Sequence, residues 1–193
     1  MIKALIFDCF GVLVGKGFEY TYRQAGGDPL KDRDFINDQL GRANLGMVSH
    51  DEFSSAMADK LNISQEAWSQ SIRHAELQDL ELLEYIEALH QKYKIGMLSN
   101  SNKGVIESKI DERWLKQCFD VIIISAEVGL VKPNPEIYQL TADRLGVETD
   151  ECIFVDDRKS FTDAASDLGM KSIVYKDIVS LKKSISSFTN PKS

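Results

Sequence analysis

Five short apolar, β-branched runs, at residues 2–7, 95–98, 121–124, 152–155 and 172–175, are each bounded by Gly, Asn, Asp or a cluster of charges. They constrain the fold more than any other feature, because runs of this length and composition read as buried strands. Between them lie apolar residues at helical spacings. Leu80, Leu83, Ile86, Ala88 and Leu89 precede the second run; Ile137, Leu140, Thr141 and Leu145 precede the fourth; Ala164, Ala165 and Leu168 precede the fifth. Strands that alternate with helices pair in parallel, since each helix carries the chain back across the sheet. The expected class is α/β, with helices on both faces. In such sheets ligands sit beyond the carboxyl ends of the strands, so the residues that follow each run are where chemistry belongs.

One interval breaks the alternation. Residues 15–79 contain no strand-like run, while Phe35, Leu40, Phe53, Met57, Leu61, Trp68 and Ile72 fall at helical spacings and Ser49-His50-Asp51-Glu52 has the form of a capping box. This predicts an inserted helical module at 15–79, a lid over the end of the first strand, on a core formed by 1–14 and 80–193. A helical elaboration that only completes the core is the other reading. The polar stretch 182–193, with Pro191, is expected to fray.

The 193 residues, 43% hydrophobic and 27% charged, suffice for one sizeable core. A formal charge of -7 opposes binding to nucleic acid or anionic membrane. Cys9, Cys118 and Cys152 form no CxxC pair and are odd in number, so neither a disulfide framework nor a zinc knuckle is expected, and a reducing cytoplasm is the simplest setting. His50, His74 and His90 are too scattered to form a local metal pair. No apolar run approaches the roughly 20 residues that span a bilayer, and a soluble, unprocessed chain is expected.

Asp8 directly follows the first run, and Asp156-Asp157 directly follow the fourth. A carboxylate at the end of a buried strand is costly unless paired, metal-bound or capping, and two adjacent ones repel unless a cation lies between them. One acid reads as a cap; the pair points to a metal, and an all-oxygen donor set favours Mg²⁺ over zinc or copper. Ser99-Asn100-Ser101-Asn102 after the second run offers short donors of the type that cradles an anion. After the third run, Pro133 and Pro135 stiffen the backbone around Lys132, a cation suited to neutralising phosphate and carboxylate together.

Taken in order, these segments resemble the haloacid dehalogenase superfamily over essentially the whole length. Asp8 in FDCFGVL is similar to the nucleophile of the first motif, Ser99 in LSN to the second, Lys132 in KPNPEIY to the third, and Asp156-Asp157 in FVDD to the fourth. NLGMVSHDEF resembles part of the family's cap. The resemblance implies a Rossmann-like parallel sheet carrying a small α-helical cap, and phosphoryl transfer from a small phosphorylated molecule to Asp8. It implies Mg²⁺ held by Asp8, Asp156, Asp157 and the backbone carbonyl of Phe10. Gly11, Ser99, Asn100 and Lys132 are then the phosphate-binding set, with Asp8, Ser99 and Lys132 catalytic.

Two positions depart from the family pattern. Phe10 stands where active phosphatases commonly carry an acid/base aspartate, and Phe161 where similar sequences often have Asn. Loss of general acid help is worth roughly 10²–10⁴-fold. Slow turnover, a restriction to esters with good leaving groups, or a proton from substrate or cap are the expected consequences. Two alternatives follow: a catalytically weak binding or regulatory protein on the same fold, and a metal-free 2-haloacid dehalogenase, against which the retained Asp156-Asp157 charges argue. A phosphomutase is a weaker third option, since the missing aspartate shuttles protons there. Substrate choice is expected from cap side chains, Arg42 and His50 first. Oligomeric state is left open.

Overall fold

The computed structural model describes residues 1–189. Among them one parallel sheet is formed by β1 (Ala4–Phe7), β2 (Lys94–Ser99), β3 (Val121–Ile124), β4 (Cys152–Asp156) and β5 (Lys171–Val174), in the order β3-β2-β1-β4-β5. The α/β class and the parallel sheet therefore stand as expected. β1 is central and wholly buried because both of its faces are covered: Leu5 and Phe7 point into one apolar cluster, Ala4 and Ile6 into the other.

The first cluster is closed by α5 (Leu80–His90), α6 (Glu112–Cys118) and α10 (Ile178–Thr189) through Leu83, Ile86, Trp114, Leu181 and Ile185. The second is closed by α8 (Pro135–Leu145) and α9 (Lys159–Asp167) through Ile137, Tyr138, Leu145, Phe161 and Ala165. The expected fraying from residue 182 is corrected up to Thr189. Leu181 and Ile185 are buried on one stripe of α10, with Ile178 and Phe188 packed beside them, so burial stabilises a helix that its Ser- and Lys-rich composition hides. Residues 190–193, including Pro191, lie outside the described residues.

The insertion between β1 and β2 holds α1 (Phe18–Gln24), α2 (Arg33–Asn44), α3 (His50–Leu61) and α4 (Gln65–Ala75). It has its own apolar cluster of Tyr22, Ile36, Met57, Ala58 and Trp68. Phe18 and Tyr22 meet Trp68 edge-on, at centroid distances of 5.7 and 6.4 Å. The capping box at the start of α3 is present: Glu52 N–H donates to Ser49 Oγ at 3.1 Å and Ser49 N–H to the Glu52 carboxylate at 2.7 Å. The two connections to the sheet run side by side. Gly15 N–H donates to Leu77 O at 3.0 Å and Asp79 N–H to Leu13 O at 2.8 Å. No helix among the described residues is long and apolar enough to cross a membrane.

Candidate active site

β1 and β4 are neighbours at the point where the strand order reverses, so the residues after them share one crevice. Asp8 N–H donates to Val155 O at 2.9 Å, which carries the ladder one residue beyond β1 and fixes the direction of the Asp8 side chain. The chain then turns back on itself: Leu13 and Val14 N–H both donate to Cys9 O, at 2.8 and 2.9 Å, and Gly11 N–H donates to Val14 O at 2.6 Å. Gly11 has φ +90°, and a Cβ there would lie 2.8 Å from Asp157 Cγ and 2.5 Å from Lys16 Cε. Only glycine lets this turn pass beside the second acidic strand end.

Asp8, Asp156 and Asp157 each offer a carboxylate oxygen, and these oxygens lie within 4.8 Å of one another. Lys132 Nζ bridges two of them, at 2.7 Å from Asp8 Oδ1 and 2.6 Å from Asp156 Oδ2, with all three side chains buried. Asp156 Oδ1 accepts from Arg158 N–H at 2.8 Å. Asp157 is ion-paired with Lys16. Burial pushes the Asp8 carboxyl up to about 6; Lys132 opposes that shift and Asp156 adds to it. The three carboxylates exceed what one buried ammonium can neutralise, which is the charge imbalance that a hard divalent cation corrects.

Asn100 grips the backbone of Lys132 from both sides. Its Nδ2 donates to Lys132 O at 2.9 Å and its Oδ1 accepts from Lys132 N–H at 2.8 Å. The amide of Asn100 is thereby engaged in positioning the lysine. The ammonium lies 5.5 and 5.1 Å from the ring centroids of Phe154 and Phe161. Phe161 is buried and also faces Arg158 at 4.2 Å, so this departure from the family pattern walls the lysine with an aromatic face. Ser99, at the end of β2, is fully buried and its Oγ has no hydrogen-bond partner. A buried hydroxyl with no partner inside the protein, on the strand that pairs with β1, is free to meet a ligand oxygen. Phe10 is half-buried against the larger apolar cluster, and Cys9 is buried.

The insertion reaches this crevice through backbone carbonyls. Asn102 Nδ2 donates to Val48 O at 2.8 Å, and Ser125 Oγ, in α7 (Ser125–Val128), donates to Asn44 O at 2.6 Å. Gly46 (φ +71°) passes so near Ala126 that a Cβ would lie 2.7 Å from its carbonyl oxygen. Glu76, at the exit from α4, pairs with Lys109 at 2.7 Å with both side chains buried. Arg42 and His50, in α2 and α3, are exposed.

A model of the haloacid dehalogenase-like hydrolase family matches residues 2–168. The chain belongs to that family. This hydrolase is 29% identical over 197 residues to a phosphatase from Mycobacterium tuberculosis, covering 89% of the chain and 86% of the relative. It is 27% identical over 190 residues to a D-ribitol-5-phosphate phosphatase from Bacteroides thetaiotaomicron, covering 89% and 91%. Its fold matches a family enzyme of B. thetaiotaomicron crystallised with magnesium and inorganic phosphate, at a TM-score of 0.77 and 20% identity over 94% of this chain and 99% of that one.

Sequence reasoning left out two parts of the hydrolase's site, Lys16 and the grip of Asn100 on Lys132. The first had a visible cue, a lysine between Gly15 and Gly17 eight positions after Asp8. The second had none, since Asn100 and Lys132 lie 32 residues apart.

Proposed function

We propose that the protein is a Mg²⁺-dependent phosphatase of small phosphate monoesters that works through an aspartyl phosphate on Asp8. The observation that carries this reading is the convergence of the Asp8, Asp156 and Asp157 oxygens within 4.8 Å around a buried lysine. Asp8, Asp156, Asp157 and the carbonyl of Phe10 are the groups that would hold Mg²⁺. The ion would supply charge neutralisation that lets a carboxylate approach a phosphate dianion. The all-oxygen donor set and the surplus of buried negative charge fit that ion.

A carboxylate oxygen of Asp8 attacks phosphorus, the bond to the ester oxygen breaks, and the leaving alkoxide takes a proton. Water then hydrolyses the acyl phosphate, releasing inorganic phosphate and restoring the carboxylate. Lys132 offsets charge on the transferring group, and the orphan hydroxyl of Ser99 with the N–H of Asn100 would receive phosphate oxygens, the Gly11 N–H being spent on Val14 O. Phe10 carries no transferable proton, so the leaving group relies on solvent or on the substrate itself. We assign 15–79 as a cap that shields this chemistry, with 1–14 and 80–193 as the core.

The test is phosphate release over sugar and polyol phosphates, nucleotides and aryl phosphates, with Mg²⁺ and with chelator. A polyol phosphate belongs first, given the relative that acts on D-ribitol 5-phosphate. Asp8→Asn is expected to lower turnover by at least about 10³-fold, because an amide is a poor nucleophile. Substantial activity in that variant rules out the covalent route. Phe10 supports a second reading, a weak catalyst that binds a phosphorylated ligand. Mg²⁺ binding without turnover on any ester, or a burst of acyl phosphate that stalls, favours that reading.

A further inference from the structure

The three clustered carboxylates are paired with two lysines of very different character. Lys132 is buried and spans Asp8 and Asp156. Lys16 pairs with Asp157 from outside: its side chain is 65% exposed, whereas that of Asp157 is 6% exposed. Its route to the carboxylate runs over Gly11, where the space a Cβ would fill is taken by Lys16 Cε and Asp157 Cγ. The turn that aims Asp8 therefore also leaves a slot through which an exposed lysine reaches the third acid. The same slot opens onto a cleft of about 660 Å³ whose lining includes Lys16, Asp79, Asp157, Lys176 and Asp177.

We infer that Lys16 is a displaceable counter-ion of the metal site, holding Asp157 in the metal-free protein and exchanging for the divalent cation as it enters. This deepens the phosphatase reading above and rests on it. Two facts carry it. Asp157 is the member of the cluster that Lys132 does not touch, so without Lys16 it would be a nearly buried carboxylate beside two others. The Lys16 stem is largely in solvent, so its withdrawal breaks no packing, and Asp79 and Asp177 in the adjoining cleft offer negative charge to receive it. Three carboxylates against two ammonium groups leave one negative charge; exchanging Lys16 for a divalent ion brings the cluster to neutrality and removes the net charge that would repel an incoming phosphate.

The experiment is calorimetric titration of Mg²⁺ into the wild-type protein, Lys16→Met, Lys16→Arg and Lys176→Met, a readout independent of turnover. Lys16→Met is expected to bind Mg²⁺ about fivefold or more tightly than wild type, since no ammonium competes for Asp157. Lys16→Arg keeps the charge and is expected to stay within about twofold of wild type, as is Lys176→Met, which removes a charge from the same cleft without freeing Asp157. Unchanged or weaker binding by Lys16→Met overturns the inference, as does an equal gain from Lys176→Met, which would mark a general field effect. In either case Mg²⁺ binding by the wild type leaves the phosphatase reading standing. A wild type that takes up no Mg²⁺ overturns both.

Discussion

The crevice at the ends of β1, β2 and β4 and the helical insertion above it are stabilised in different ways. In the crevice, charged side chains interlock: Lys132 touches Asp8 and Asp156, Asn100 holds Lys132, and aromatic rings close its far side. The insertion folds around its own apolar cluster and meets the sheet domain through backbone carbonyls and one buried ion pair. A change in the crevice should therefore act on chemistry and stability together, whereas a change at the seam should act on how the insertion docks. The difference teaches that rigidity is concentrated where charge must be aimed, and that the insertion is held by contacts that can be remade.

Lys132→Met gives the sharpest contrast. It leaves Asp8 and Asp156 buried with no shared cation, and the loss of electrostatic stabilisation is expected to cut turnover about 10³-fold. Removing one partner of a buried charge cluster should also lower stability by about 3 kcal/mol. Addition of Mg²⁺ should restore part of that stability, and thermal melts with and without the ion check it.

Lys109→Met tests the seam. It strands Glu76, whose carboxyl is already raised above 4.5 by burial while Lys109 holds it down. Without Lys109 its pKa rises further. A carboxylate with a raised folded pKa contributes stability below its unfolded value and loses it as pH climbs through the folded value. The variant is thus expected to lose about 3 kcal/mol near neutrality and to recover most of it toward pH 4, whereas Glu76→Gln should show little such slope. Urea melts from pH 4 to 8 distinguish the two; equal slopes would mean that the pair bears no load.

Phe10→Asp addresses the missing acid. Phe10 is only half-buried, so a carboxylate there keeps access to water. Phosphate-ester hydrolysis is expected to rise about 10- to 100-fold, most for esters with poor leaving groups. No gain in a folded variant that binds Mg²⁺ would show that another group already delivers the proton.

The sheet and the acidic cluster were legible because both are written in local pattern. Five apolar runs gave five parallel strands within a residue or two, and the acids directly after two of them met in space because parallel strands end on one side. Elements whose stability comes from distant packing were not legible. α10 looks polar until Leu181 and Ile185 are seen against the sheet, and α6 had no strong periodic face, yet it buries Trp114 and Cys118. The grip of Asn100 on Lys132 and the Glu76–Lys109 pair depend on loops that only the tertiary fold brings together. Lys16 was passed over because a lysine in a glycine-flanked loop usually points to water.

The smallest expected effect bears most directly on how the insertion docks. Asn102 sits three residues after Ser99 and spends its amide on Val48 O, so one short segment both lines the crevice and holds the insertion. Asn102→Ala removes the buried hydrogen bond to Val48 O and the local one from Lys103 N–H, and should lower stability by only about 1–2 kcal/mol. Its informative consequence is kinetic. If docking through Val48 sets how often the lid is shut, the variant should raise KM for a phosphate ester severalfold while leaving hydrolysis of a small aryl phosphate near wild type. A uniform fall in kcat for both substrates would instead place Asn102 among the groups that position Ser99, and the division between a rigid crevice and a remakeable seam would have to be redrawn to put this loop on the crevice side.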